Sequence, residues 1–267
     1  MLIFDDGAYM IKSTQKNTPI FVAIILILNI TCFASEWDDV RERGLEPGKT
    51  YDISSGTGFF ISPGYIITNE HVVQNCLTIS VRGAVDPSPV ELIASDKDAD
   101  LAILKSNNFS STTASFRRNE GLSVSDRVFV IGYPLEHSND GQYLLREANV
   151  ITMDDQVEET KHIEFTAIIE KGNSGGPLID LAGNVIGIVQ AKKNYYYLSA
   201  NSNEVAHNST PYQVNGLAIG IKQVEDFLRK NQINYSTSDS YKILNYYQPD
   251  TKAKNYVVNI HCVRDKN

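Results

Sequence analysis

From Tyr51 onward the chain alternates short apolar runs with Gly, Pro, Asn and Asp: GTGFFIS, YIITN, LTISVRG, VELIAS, LAILKS, RVFVIGYP, LREANVITM, HIEFTAII, GPLID, NVIGIVQAK and GLAIGI. Runs this short, each closed by turn residues, predict strands rather than helices, and their regular punctuation predicts a sandwich or a barrel. Only QVEDFLRKN, residues 223–231, has helical spacing, with Val224, Phe227 and Leu228 on one face. This short C-terminal helix follows the last strand and is expected to pack against the strands. Residues 35–50 and 234–267 are polar and lack a clear period, so they read as an N-terminal extension and a C-terminal tail around a folded domain at 51–233.

Ahead of that domain, Lys12 and Lys16 precede the uninterrupted apolar run Ile20–Leu28, which fades through Asn29 and Thr31 to Cys32 and Ala34. The run is short for a bilayer span, which takes about 20 residues. Cys32 and Ala34 supply the small residues that a leader cut ahead of Ser35 requires. Residues 1–34 therefore read as a secretory signal peptide, which implies a periplasmic or secreted protein with no stable span after cleavage. Retention of the run as a membrane anchor is the competing reading. Asp5 and Asp6 are unusual in a leader and leave both Met1 and Met10 open as the start.

Composition changes the picture by exclusion. At 267 residues and 42% apolar content the chain holds enough to bury a core. A net charge of −8, with no dense run of Lys and Arg, argues against nucleic acid as a partner. Of the three cysteines, Cys32 belongs to the leader. Cys76 and Cys262 either form a disulfide or remain as two buried thiols. No cysteine or histidine spacing calls for a metal, and no cofactor is implied.

Candidate chemistry centres on IIEKGNSGGPLID, residues 168–180. Its glycines and Asn173 suit a β-turn. They also suit a nucleophile, because glycine at 172 and 175 clears side chains from around Ser174, and the N–H groups of Gly172 and Ser174 can then serve as an oxyanion hole. A serine hydroxyl needs a base, and a base needs an orienting group. Among five histidines, His71 stands out because it follows the run YIITN at a short turn. In DKDADLAILK, Asp100 directly abuts the apolar strand that would carry it inward, whereas Asp96 and Asp98 are expected to stay solvated. Structural roles, a histidine after a strand and an aspartate at a strand edge, compete with the catalytic ones. The order His71, Asp100, Ser174 is that of the chymotrypsin-type double barrel and differs from subtilisin-type and α/β-hydrolase orders.

At these residues the chain resembles the HtrA (Deg) group of trypsin-like serine proteases. GTGFFISPGYIITNEHVV is similar to that group's histidine segment, DADLAILK to its aspartate segment, VFVIGYP to a mid-domain strand, and EKGNSGGPLID to its serine segment; the closing strands and helix follow in NVIGIVQAK and GLAIGIKQVEDFL. The resemblance runs from about Ser55 to Leu228. It implies an all-β, chymotrypsin-like double β-barrel and a serine endopeptidase acting on protein or peptide substrates, with His71 as base, Asp100 as orienting carboxylate, Ser174 as nucleophile and the amides of Gly172 and Ser174 as oxyanion donors. It also assigns Ile168 to the floor of the specificity pocket, with Ile169 beside it, and hence aliphatic preference. A homo-oligomer follows by family analogy alone. Too little sequence follows Leu228 for the PDZ domains common in the group, and the segment Lys192–Asn215 is longer than its counterpart. A chaperone-like peptide binder on the same fold is the alternative to an enzyme.

Overall fold

The structure is a computed structural model that describes residues 44–46, 48–118, 122–135, 142–153, 162–195, 213–240, 242 and 248–266. The leader predicted at 1–34 and most of the extension at 35–50 lie outside these residues.

Each apolar run read from the sequence forms a strand. The first group comprises β1 (Tyr51–Ser62), β2 (Tyr65–Thr68), β3 (Thr78–Gly83), β4 (Ser88–Asp96) and β5 (Leu101–Ser106). A short helix, α1 (Glu70–Val73), separates β2 from β3. After β6 (Ser115–Arg117) come β7 (Arg127–Gly132), β8 (Leu144–Met153), β9 (His162–Phe165), β10 (Pro177–Ile179), β11 (Val185–Tyr195) and β12 (Gln213–Gly220). The helix α2 (Ile221–Lys230) follows directly, then β13 (Ser236–Ser238), α3 (Gln248–Ala253) and β14 (Val257–Asp265). In α2 the predicted face is the buried one, Val224, Phe227 and Leu228, and the side chain of Asn231 caps the end by donating to the Phe227 carbonyl at 2.8 Å.

Two barrels result. One closes in the order β1-β14-β3-β4-β5-β2; the other runs β10-β7-β8-β9-β12-β11 and closes through the β10–β11 pairing, with β6 and β13 added beyond β11. The chain is thus an all-β, chymotrypsin-like double barrel with few helices. Phe165, Leu178, Val189 and Ala218 fill the second barrel. A larger apolar cluster includes Phe59, Phe60 and Ile103 of the first barrel, Phe129 and Ile131 of the second, and the buried face of α2. Burying such side chains contributes roughly 1.5–3 kcal/mol each.

Within the tail expected at 234–267, the described residues Val257–Asp265 belong to the first barrel. Their strand, β14, lies between β1 and β3, antiparallel to both, with Phe59↔Val257 through Tyr51↔Asp265 on one side and Val258↔Gly83 through Val263↔Thr78 on the other. Val257, Val258, Ile260, Cys262 and Val263 are buried, so the first barrel depends on this strand both for backbone pairing and for core. Cys262 forms a disulfide with Cys76, which resolves the alternative left open by composition.

Candidate active site

The loop carrying Ser174 is built where the two barrels meet. Gly172 has φ +98, and a Cβ there would sit 2.2 Å from the Tyr133 carbonyl; Gly175 has φ +85, and a Cβ there would meet the Thr57 carbonyl at 2.1 Å. Both positions need glycine because backbone fills the space, in addition to the positive φ. Thr57 of β1, fully buried, fastens the loop: its N–H donates to the Ser174 carbonyl at 2.8 Å and its hydroxyl to the Gly172 carbonyl at 2.6 Å. The same hydroxyl accepts the Tyr133 N–H at 2.9 Å. One threonine of the first barrel therefore sets the Ser174 loop of the second. Among the described residues, the N–H groups of Gly172 and Ser174 donate to no protein acceptor.

His71 sits on α1, a single helical turn rather than an open turn, and half-exposed, with its side chain 46% accessible. Its Nδ1 lies 2.9 Å from each Asp100 carboxylate oxygen, and its backbone N–H donates to Asp100 Oδ1 at 3.1 Å. Asp100 is the acid that meets the imidazole, and Asp98 stays exposed. Asp96 does more than remain solvated. It accepts from the N–H groups of Asp98 and Ala99, both at 3.1 Å, and so shapes the turn that delivers Asp100 at φ +52. Burial alone would push the Asp100 carboxyl up. Hydrogen bonds from the His71 side chain and backbone, its charge and the Gln190 amide outweigh burial and hold the carboxyl below its ordinary value.

Gln190, which sequence reasoning missed, links the three residues. It occupies the irregularity in β11 between Val189 and Ala191, where an extra residue leaves the ladder and can be re-aimed. Its Nε2 donates to Asp100 Oδ2 at 3.0 Å, and its carbonyl accepts the Ser174 hydroxyl at 3.1 Å. In this conformation the Ser174 hydroxyl is turned to Gln190 and not to His71. Asn69 adds a donor to the Asp100 carbonyl at 2.9 Å. The only sequence signals were a polar residue ending the apolar run NVIGIV and another ending YIIT; neither spacing nor periodicity points to a carboxylate from there.

The pocket pair separates. Ile169 is 5% exposed and packs in the core of the second barrel, while Ile168 is 60% exposed. Neighbouring residues of an extended segment face opposite ways, and the core takes Ile169. Ile168 is thus the member of the pair left facing outward, and aliphatic preference stays an expectation of the family resemblance.

Residues 56–188 match the model of the trypsin-like peptidase domain. A probable periplasmic serine endoprotease DegP-like from Pseudomonas savastanoi pv. phaseolicola is 37% identical over 140 residues, covering 51% of this chain and 28% of the relative. Serine protease Rv3671c of Mycobacterium tuberculosis is 31% identical over 174 residues, covering 61% of this chain and 42% of the relative; its active form superposes with a TM-score of 0.52 at 25% identity over 71% of this chain and 78% of that one. The HtrA-type protease AlgW with a decapeptide gives a TM-score of 0.52 at 26% identity over 66% of this chain and 51% of that chain. The chain spans 28% and 42% of the length of these two curated relatives. No helix among the described residues is long and apolar enough to cross a membrane. With a double barrel, a His71–Asp100 pair joined through Gln190 to Ser174, and relatives of HtrA and DegP type, residues 56–188 of the chain form a trypsin-like peptidase domain.

Proposed function

We propose that the protein is a serine endopeptidase that hydrolyses peptide bonds of exported, unfolded or misfolded protein substrates. The observation that carries this reading is the connected set His71–Asp100–Gln190–Ser174, in which a half-buried, ionised carboxylate holds Nδ1 of a half-exposed imidazole beside a serine loop whose Gly172 and Ser174 amides have no acceptor among the described residues. The Asp100 carboxylate fixes the tautomer that leaves Nε2 of His71 as the base. Ser174 rotates from the Gln190 carbonyl towards that nitrogen, loses its proton to it and attacks the scissile carbonyl. The Gly172 and Ser174 amides receive the oxyanion, His71 returns the proton to the leaving amine, and water repeats the sequence on the acyl-enzyme. Catalytic hydrogen bonds commonly tighten only once substrate is bound, which accommodates the resting direction of the Ser174 hydroxyl. Substrates outside the cytoplasm are supported by the leader expected at 1–34 and by the periplasmic names of the DegP-like relatives.

Fluorophosphonate labelling tests the reading. Ser174→Ala is expected to abolish labelling and cleavage of unfolded casein while leaving the fold intact, since it removes one small hydroxyl at a cleft. A folded wild-type protein that neither labels nor cleaves over a range of concentrations, yet suppresses aggregation of clients, would establish the binder instead. The exported protein is expected to begin at Ser35 on N-terminal sequencing; recovery of the run Ile20–Leu28 in the membrane fraction would reject cleavage.

A further inference from the structure

The helix bearing His71 cannot orient itself. With four residues, Glu70–Val73, α1 is far below the length at which a helix is stable alone, and its N-cap residue Asn69 makes no capping bond through its side chain. Its C-terminal end leaves carbonyls without helical partners. They find one in Arg264 of β14. The guanidinium donates from Nε to the Gln74 carbonyl at 2.6 Å and from Nη2 to the carbonyls of Val72 at 3.1 Å and His71 at 3.3 Å, while Nη1 holds the hydroxyl of Ser54 on β1. A planar cation with five donors suits a cluster of carbonyls at a helix end, where positive charge is also favoured. The same strand grips the chain just beyond α1 twice more, through the Cys76–Cys262 disulfide and the Leu77 N–H to Val263 carbonyl bond at 2.8 Å.

On these contacts, and resting on the reading of His71 as the base, we propose that Arg264 is a positioning residue for His71. It holds α1 at its carbonyl end while Asp100 holds the imidazole and backbone amide at the other, so that the ring meets the carboxylate and faces the serine loop. The base is therefore set from the last strand of the barrel, whose residues lie at the opposite end of the sequence from the helix they orient.

Three substitutions and the wild type decide this. In Arg264→Ala and Arg264→Gln, with the folded fraction fixed by circular dichroism, the rate of fluorophosphonate labelling at Ser174 and kcat on an unfolded casein peptide are expected to fall about 10- to 100-fold, the scale set by small misplacements of reacting groups. KM is expected to stay within about twofold, because no substrate contact is lost. Arg264→Lys, which keeps the charge and part of the bonding, is expected to lie between these variants and wild type. If the alanine variant does not fold, the lysine and glutamine variants carry the comparison. Wild-type labelling together with wild-type rates per folded molecule in every Arg264 variant overturns the proposal and leaves the proposed protease standing. A folded wild type that does not label at Ser174 overturns both.

Discussion

Asp100 sits at φ +52, a conformation that L-residues other than Asn and Asp rarely adopt. The residue type is thus required twice, by the backbone and by the imidazole. Asn satisfies the first need and fails the second, since an amide facing Nδ1 does not hold the tautomer that an ionised carboxylate holds. Asp100→Asn is expected to retain the fold and to lower kcat by roughly 10⁴-fold with KM little changed. Asp98→Asn, at an exposed position whose backbone alone bonds to Asp96, is expected to leave kcat near wild type. Steady-state kinetics on the two variants distinguish them, and equal losses would remove Asp100 from its assigned role. Reading the sequence reached Asp100 through its adjacency to an apolar strand, and that argument survives. It could not reach Gln190, Thr57 or Arg264, because each acts through partners brought together by barrel closure rather than through any local pattern.

At the scale of elements, each run ended by Gly, Pro, Asn or Asp became a strand, because turn chemistry and apolar burial agree there. What escaped were β6 and β13, short polar segments whose parallel pairing, Thr237↔Phe116 for one, is specified only by their neighbours. β14 escaped for another reason. VVNIHCV places Val258, Ile260 and Cys262 at the period of two expected of a strand, but the polar residues around it averaged the signal away. The cost of that omission is large, since this strand closes a barrel and carries both Cys262 and Arg264. The Cys76–Cys262 bridge spans 186 residues of sequence, so it restricts nearly the whole domain in the unfolded state. Replacing both cysteines with serine is expected to lower the free energy of unfolding by about 2–5 kcal/mol. Urea unfolding of the oxidised wild type and the double variant measures this. Identical midpoints would mean that β14 is secured by its pairing and burial alone.

Across the molecule, each barrel keeps buried or half-buried carboxylates ionised by surrounding them with donors, and this sets its response to acid. In the first barrel, the Ala99 amide, followed by Lys230, holds Asp96 below its ordinary value, and Asp100 is lowered as described above. In the second, burial alone would raise Glu164, but Tyr195, Asn215 and the Lys193 ammonium, whose Nζ lies 3.0 Å away, together lower it. The sign follows from linkage. A carboxyl whose folded pKa lies below its unfolded value, about 3.9 for Asp and 4.3 for Glu, contributes stability that is complete above the unfolded value and is lost as pH falls through the folded one. Thermal stability is therefore expected to be flat in its carboxylate contribution above about pH 5 and to decline below about pH 4. Glu164→Gln isolates the share of the second barrel. The amide keeps the shape but not the charge, so the variant is expected to melt below wild type at pH 6, with the gap narrowing as the pH is lowered towards 2.5. A gap that stays constant over that range would mean that Glu164 takes up its proton alike in the folded and unfolded chain, and that its donors serve geometry rather than charge.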